Sequence, residues 1–191
     1  MKRILVHMCC GPCSIYPLKS ALEGEAEVWG FFFNPNIQPR DEFNKRLAAV
    51  KKLSSLMDLK IIYKDIYRAE DFLKDREGRA IKTLPKSERC FHCYDIRLDA
   101  TAETAAREGF DMFSSSLFYS RYQNHELMKE IAGGYAKKYN VGLFYRDFRE
   151  GWQDGIKESK ALGLYRQQYC GCIYSWMERY NKAPAKRGKA V

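Results

Sequence analysis

Strand-sized apolar runs separated by helix-sized segments predict an α/β chain: a parallel sheet with helices on both faces and further helices at the C-terminus. Three observations carry that expectation. Apolar runs such as residues 28–33 are about strand-sized, and none approaches the ~18 residues of a membrane span. The segments between successive strands carry the 3.6-residue period of amphipathic helices. The composition, 46% hydrophobic and 30% charged over 191 residues, is that of a globular chain and excludes a disordered or collagenous one.

The elements follow in order. Residues 3–8 (Arg3-Ile4-Leu5-Val6-His7-Met8) read as a buried strand, followed by a Gly-Pro turn and a helix over 14–23. Residues 26–33, rich in Val, Trp and Phe, read as a second strand, in which Phe31, Phe32 and Phe33 are core residues. A long helix spans about 40–57, where Asp41 and Glu42 suit the positive end of the helix dipole. A third strand over 59–63 precedes a short helix near 69–76 and a polar loop over 77–88. Residues 90–108 read as a helix ending at Gly109, a suitable C-cap. Strand 110–115, helix 122–139 and strand 142–146 follow, then helices near 152–162 and 171–181. Ligands of such sheets bind outside the carboxyl ends of the strands, which puts Cys9, Cys10 and Cys13 at the functional edge.

Length favours one domain, expected over 1–181, with a basic flexible tail over 182–191. A chain this size buries roughly 70% of its unfolded surface and needs no staple to fold. The N-terminus enters a strand directly, without a signal-peptide pattern, so the expected compartment is the cytoplasm. Seven cysteines are then unexpected, because a reducing compartment gives them no structural use.

Five of the seven form two groups. Cys9-Cys10-Gly11-Pro12-Cys13 lies after the first strand, and Cys90-Phe91-His92-Cys93 opens a helix with both thiols on one face. Buried reduced thiols, a structural zinc site and an iron–sulfur cluster compete as readings. Adjacent Cys9 and Cys10 are awkward for zinc spacing and suit a cluster, whose neighbouring thiolates reach different irons. Cys170-Gly171-Cys172 closes too small a ring for an unstrained disulfide, the mark of a labile redox pair. Two unrelated thiols at a helix start remain the alternative.

The net charge of +9 suits a polyanionic partner. Four of those charges belong to the tail residues Lys182, Lys186, Arg187 and Lys189, which weakens the signal. Aromatic and basic residues interleave in Phe118-Tyr119-Ser120-Arg121-Tyr122 and in Tyr165-Arg166-Gln167-Gln168-Tyr169. Such rings can stack splayed RNA bases, which makes Arg121, Tyr122, Arg166 and Tyr169 candidate tRNA contacts. Core aromatics flanked by solvated arginines are the competing reading.

The chain resembles the cobalamin-independent epoxyqueuosine reductases, the QueH family. The resemblance reaches to about Tyr180. It rests on Cys9-Cys10-Gly11-Pro12-Cys13-Ser14, Phe33-Asn34-Pro35-Asn36-Ile37, Arg89-Cys90-Phe91-His92-Cys93-Tyr94-Asp95-Ile96-Arg97-Leu98, Asp147-Phe148-Arg149 and Gly163-Leu164-Tyr165-Arg166-Gln167-Gln168-Tyr169-Cys170-Gly171-Cys172. It implies a Rossmann-like sheet of the nucleotide alpha-hydrolase kind, with thiols where an ATP loop would lie, so no ATP use. It also implies two-electron removal of the epoxide oxygen from epoxyqueuosine at the tRNA wobble position, without cobalamin and with an external electron donor.

On matching positions the resemblance makes Cys9, Cys10, Cys90 and Cys93 the ligands of a [4Fe–4S] cluster and Cys170–Cys172 the redox-active disulfide. Cys13 is left over, either a ligand of a second iron with Asp95 or a small buried residue in a helix turn. The epoxide oxygen also needs a proton, and Asp95, Asp147, His92 and Tyr94 are candidates. A zinc-stabilised RNA-binding module, a thiol–disulfide oxidoreductase acting on proteins and an iron–sulfur tRNA-thiolating enzyme are the competing functions.

Overall fold

The computed structural model describes residues 1–180; the expected basic tail over 182–191 lies outside them. Five strands form one parallel sheet: β1 (Arg3–His7), β2 (Glu27–Phe32), β3 (Ile61–Tyr63), β4 (Met112–Ser115) and β5 (Gly142–Leu143), in the order β3-β2-β1-β4-β5. The chain leaves β1 toward β2 and β3, then returns across the sheet to β4. That reversal places a topological switch point between β1 and β4, the crevice where ligands of open α/β sheets bind.

Alternation along β1 divides the core. Ile4 and Val6 face one layer, with Ile15 and Leu18 of α1 (Gly11–Leu22) and Phe43, Val50 and Leu53 of α2 (Arg40–Met57). Leu5 faces the other, with Leu98 and Ala102 of α3 (Lys86–Arg107) and Met128 and Ala132 of α4 (His125–Lys138). The expected parallel sheet with helices on both faces is what the chain forms. Leu5, Leu18, Leu53 and Leu98 are fully buried, each stabilising by about 1.5–3 kcal/mol. Phe31 and Phe32 are core residues and Phe33 is half-buried. Two helices close the described residues, α5 (Trp152–Ala161) and α6 (Ile173–Tyr180).

Several boundaries differ from the sequence expectation, each for a local reason. Helix α1 begins at Gly11 rather than 14, because Cys10 is its N-cap and accepts the Cys13 N–H at 3.4 Å. Helix α3 begins at Lys86, inside the segment expected to be loop, so Cys90 and Cys93 lie within the helix. The expected short helix near 69–76 is a single 3-10 turn, Ala69–Phe72. Asn124 caps α4 by accepting the Leu127 N–H at 3.2 Å, which starts that helix at His125 instead of 122 and leaves Tyr122 outside it. Among the described residues no helix is long and apolar enough to cross a membrane.

Candidate metal–thiolate site

The switch crevice is built from the end of β1 and the first turn of α1. The backbone N–H of Cys9 donates to Ser116 Oγ at 3.0 Å, tying the end of β1 to the residue after β4. Cys9 and Cys10 Sγ lie 3.8 Å apart, and the thiols of Cys9, Cys10 and Cys13 all lie within 4.8 Å of one another. Cys13 thus joins its neighbours; it is not an isolated packing residue. Hydrogen bonds from Cys10 and Cys13 hold the Cys9 thiol well below its ordinary pKa, while burial pushes Cys10 up. Hydrogen bonding with Cys10 and Cys9 pushes Cys13 up as well. The positive end of the α1 dipole faces the same thiols.

Helix α3 supplies the second group. Cys93 is buried and Cys90 half-buried. Arg97, one turn after Cys93, is 1% exposed. Its Nε donates to the Cys93 carbonyl at 2.7 Å and its Nη2 to Cys93 Sγ at 3.0 Å. Burial pushes the Cys93 thiol up, and the charge of Arg97 opposes that push. The same guanidinium acts on Cys9 and Cys170. It also acts, after burial, on His7, whose pKa falls to about 4. Arg97 is therefore within electrostatic reach of all three cysteine groups.

The third group is the turn Cys170-Gly171-Cys172, in dithiol form here. Arg46 of α2 holds it: Nη1 donates to the Cys170 carbonyl at 3.1 Å and Nη2 to the Tyr169 carbonyl at 2.9 Å. The Gln38 N–H donates to the Gly171 carbonyl at 2.9 Å, and the Tyr169 hydroxyl donates to the Gln38 carbonyl. Gly171 has φ +134°, and a Cβ there would stand 3.1 Å from Arg46 Nη1 and 3.2 Å from Asn36 Nδ2. Only glycine suits that turn.

A cavity of about 490 Å³ opens beside the thiols, lined among others by Cys9, Cys13, Arg97, Tyr119, Trp152 and Cys170. Its volume lies in the ~300–1,000 Å³ range of small-molecule sites. Trp152 dominates one wall. Tyr119 stacks on it at 5.1 Å between centroids, Tyr122 meets its edge at 5.7 Å, and the Arg121 guanidinium lies 5.4 Å from its ring centre. Tyr122, Arg166 and Tyr169 also line the cavity. Arg121 reaches it through Trp152.

The candidate proton donors separate. Asp95 is paired with Arg76 at 2.6 Å and accepts the Tyr135 hydroxyl, and among the described residues it does not join the clustered thiols. Asp147 is paired with Arg149 at 2.5 Å, and the hydrogen bonds from Arg149 lower its pKa to about 2. His92 stacks on Phe72 at 5.5 Å, and burial lowers its pKa. Tyr94 is the one that faces the thiols: burial first, then Cys90 and Cys170, push its hydroxyl up and keep it protonated. Arg46, Arg97, Trp152 and the carboxamides of Gln123 and Gln167 were not singled out by sequence reasoning. Gln167 donates to Cys13 Sγ at 2.9 Å, and Gln123 approaches Cys170 Sγ at 3.7 Å.

The donor set fits an anionic metal–thiolate centre. Burying an unpaired guanidinium costs several kcal/mol. Among the described residues Arg97 has no carboxylate within ion-pair distance, so the thiols are what can offset its charge. The thiols within 4.8 Å of one another are Cys9, Cys10 and Cys13; Cys90 and Cys93 stand outside that group.

A family model described as "Epoxyqueuosine reductase QueH" matches residues 4–178. A relative of that name from Dehalococcoides mccartyi is 38% identical over 180 residues, covering 94% of this chain and 96% of its own. One from Thermotoga maritima is 36% identical, covering 95% and 94%. One from Streptococcus pyogenes is 32% identical, covering 90% of this chain and 69% of its own. The thiol-lined crevice lies within the matched span, and the chain belongs to the QueH family of epoxyqueuosine reductases.

Proposed function

We propose that the chain reduces epoxyqueuosine to queuosine in the anticodon loop of tRNA. The observation that carries this is the meeting of Cys9, Cys13, Arg97 and Cys170 on one cavity walled by Trp152 and Tyr119. Cys9, Cys10, Cys90 and Cys93 would hold a [4Fe–4S] cluster, with Cys13 as a further donor beside Cys9 and Cys10. Such a cluster, when bound, supplies single electrons at low potential and an electrophilic iron.

The remaining work falls to the chain's own residues. The target base is flipped out of the loop and stacks against Trp152, with Arg121, Tyr122, Arg166 and Tyr169 receiving the flanking backbone and bases. Tyr94 holds a proton for the departing oxygen. Cys170 and Cys172 supply the electron balance: epoxyqueuosine and two thiols yield queuosine, water and one disulfide. A further two-electron donor then restores the dithiol. We place the cycle in the cytoplasm, where tRNA and a reducing thiol pool coexist.

The test has two stages. Protein purified without oxygen should absorb near ~400 nm and carry roughly four irons and four sulfides per chain. It should then convert epoxyqueuosine-bearing tRNA with dithionite and no cobalamin, followed by nucleoside mass spectrometry. A colourless protein holding one zinc, or an intact epoxide, would overturn the reading.

A further inference from the structure

We propose that Arg97 is the fixed counter-charge of the redox centre and sets its reduction potential. The inference rests on the reading that the thiols hold a metal cluster. Arg46 and Arg97 are each 1% exposed. Arg46 has an ordinary explanation: Glu42, itself buried, lies 2.7 Å from its Nε, and the remaining donors go to two backbone carbonyls. Arg97 has no such partner. Among the described residues its bonds go to the Cys93 carbonyl and the Cys93 sulfur alone.

A guanidinium cannot shed its proton to escape burial. With the side chain 1% exposed, its charge is poorly screened by solvent. Neutral thiols would leave that charge buried and uncompensated, a state that folded chains avoid. Thiolates bound to metal remove the difficulty, because the centre then carries net negative charge where the guanidinium stands. Cys9, Cys93 and Cys170 come from three separate elements: Cys93 bonds the guanidinium directly, and Cys9 and Cys170 line the same cavity as Arg97.

An electron entering such a centre adds one negative charge and no proton. A fixed positive charge beside it favours the reduced state, so removing that charge makes reduction harder. Net charge and hydrogen bonds to sulfur are the two means by which proteins tune these centres. Arg97 supplies both through one side chain. It also helps line the cavity, where the same charge favours an oxygen that becomes anionic as the epoxide opens.

The experiment is a redox titration with dithionite on cluster-loaded protein, followed by electron paramagnetic resonance, with iron and sulfide counted first. Arg97→Met should make reduction at least tenfold less favourable, a fall of about 59 mV for a one-electron couple. Arg97→Lys keeps the charge and should fall by less than half as much. If Arg97→Met does not fold, Arg97→Gln, which removes the charge and keeps an amide donor, provides the measurement and should show a fall of similar size. A loaded Arg97→Met protein with an unmoved midpoint would overturn the proposal while leaving the cluster reading intact. Equal falls in the Lys and Met variants would overturn it too, by assigning the effect to bond geometry. Wild-type protein that binds no iron would remove the cluster reading and this proposal together.

Discussion

The guanidinium of Arg46 reaches the carbonyl of Cys170 at 3.1 Å, joining helix α2 to the Cys170-Gly171-Cys172 turn, across 124 residues of chain. The same side chain pairs with Glu42 at 2.7 Å, and both groups are buried. Arg46→Met should therefore destabilise the fold by about 3–5 kcal/mol, because it leaves the Glu42 carboxylate buried without its cation. The double variant Arg46→Met with Glu42→Gln should recover a large part of that loss. Urea denaturation of the metal-free chains, compared at constant pH, reads both effects.

Gly171 occupies a conformation that side chains rarely adopt, with Arg46 and Asn36 against the space a Cβ would need. Gly171→Ala should strain the turn by about 1–3 kcal/mol. The strain falls on the relation between Cys170 and Cys172, so the rate of disulfide formation should drop and the melting temperature should fall by roughly 2–12 °C. Stopped-flow oxidation of the dithiol, beside a thermal melt, separates the two.

Cys170→Ser and Cys172→Ser each remove half of the proposed electron store. Either variant should still bind tRNA and should support at most one turnover per chain, against repeated turnover in the wild type. Rapid-quench assays with enzyme in excess and then in deficit make the distinction. Normal repeated turnover in both variants would show that the pair is not the electron store.

All three histidines are held below their ordinary pKa, and burial is the leading cause for each. For His7 the fall is from 6.5 to about 4. The native chain thus refuses protons that the unfolded chain accepts below pH 6.5. Stability should rise with pH across roughly 4 to 6.5 and be lost on acidification through that window. His125 packs between Phe118 and Tyr145, away from the thiols, and bonds the Tyr145 hydroxyl at 2.9 Å. His125→Gln should flatten part of the slope, as measured by urea midpoints between pH 5 and pH 7.5.

Much of the site was legible because its chemistry is local. Each cysteine group is a short run, and the strand-then-helix pattern put the first of them at the sheet's functional edge. Asp95 shows where reading by proximity misleads. It stands two residues from Cys93, and at about 100° per residue a helix turns it to the opposite side, toward Arg76 and Tyr135. Arg97, four residues on, returns to the thiol side. Its spacing was visible in the sequence, but its burial without a carboxylate was not, because that depends on elements far apart in the chain, which bring Cys9 and Cys170 to the same cavity. Trp152 is a similar case. Its ring becomes a cavity wall only when α5 packs beside α1 and Tyr119 stacks on it, a contact across 33 residues.

That stacked pair leads to the last expectation. Tyr119 donates to the Trp152 carbonyl at 2.9 Å and stacks on the indole, and the Tyr119 oxygen stands where a Cβ on Gly155 would be 2.3 Å away. Trp152 is therefore held by a hydrogen bond and a stacked ring, which leaves little ordering cost for a planar base that packs against this wall. Removing one base–aromatic stack costs about 1–3 kcal/mol. Trp152→Ala should raise KM for epoxyqueuosine-bearing tRNA by roughly 5- to 150-fold, whereas Trp152→Phe should retain most of the affinity. The iron content of both variants should match wild type, because Trp152 holds no ligand. If Trp152→Ala binds tRNA normally, the base sits elsewhere in the cavity, and the rim formed by Arg166 and Tyr169 becomes the next surface to change.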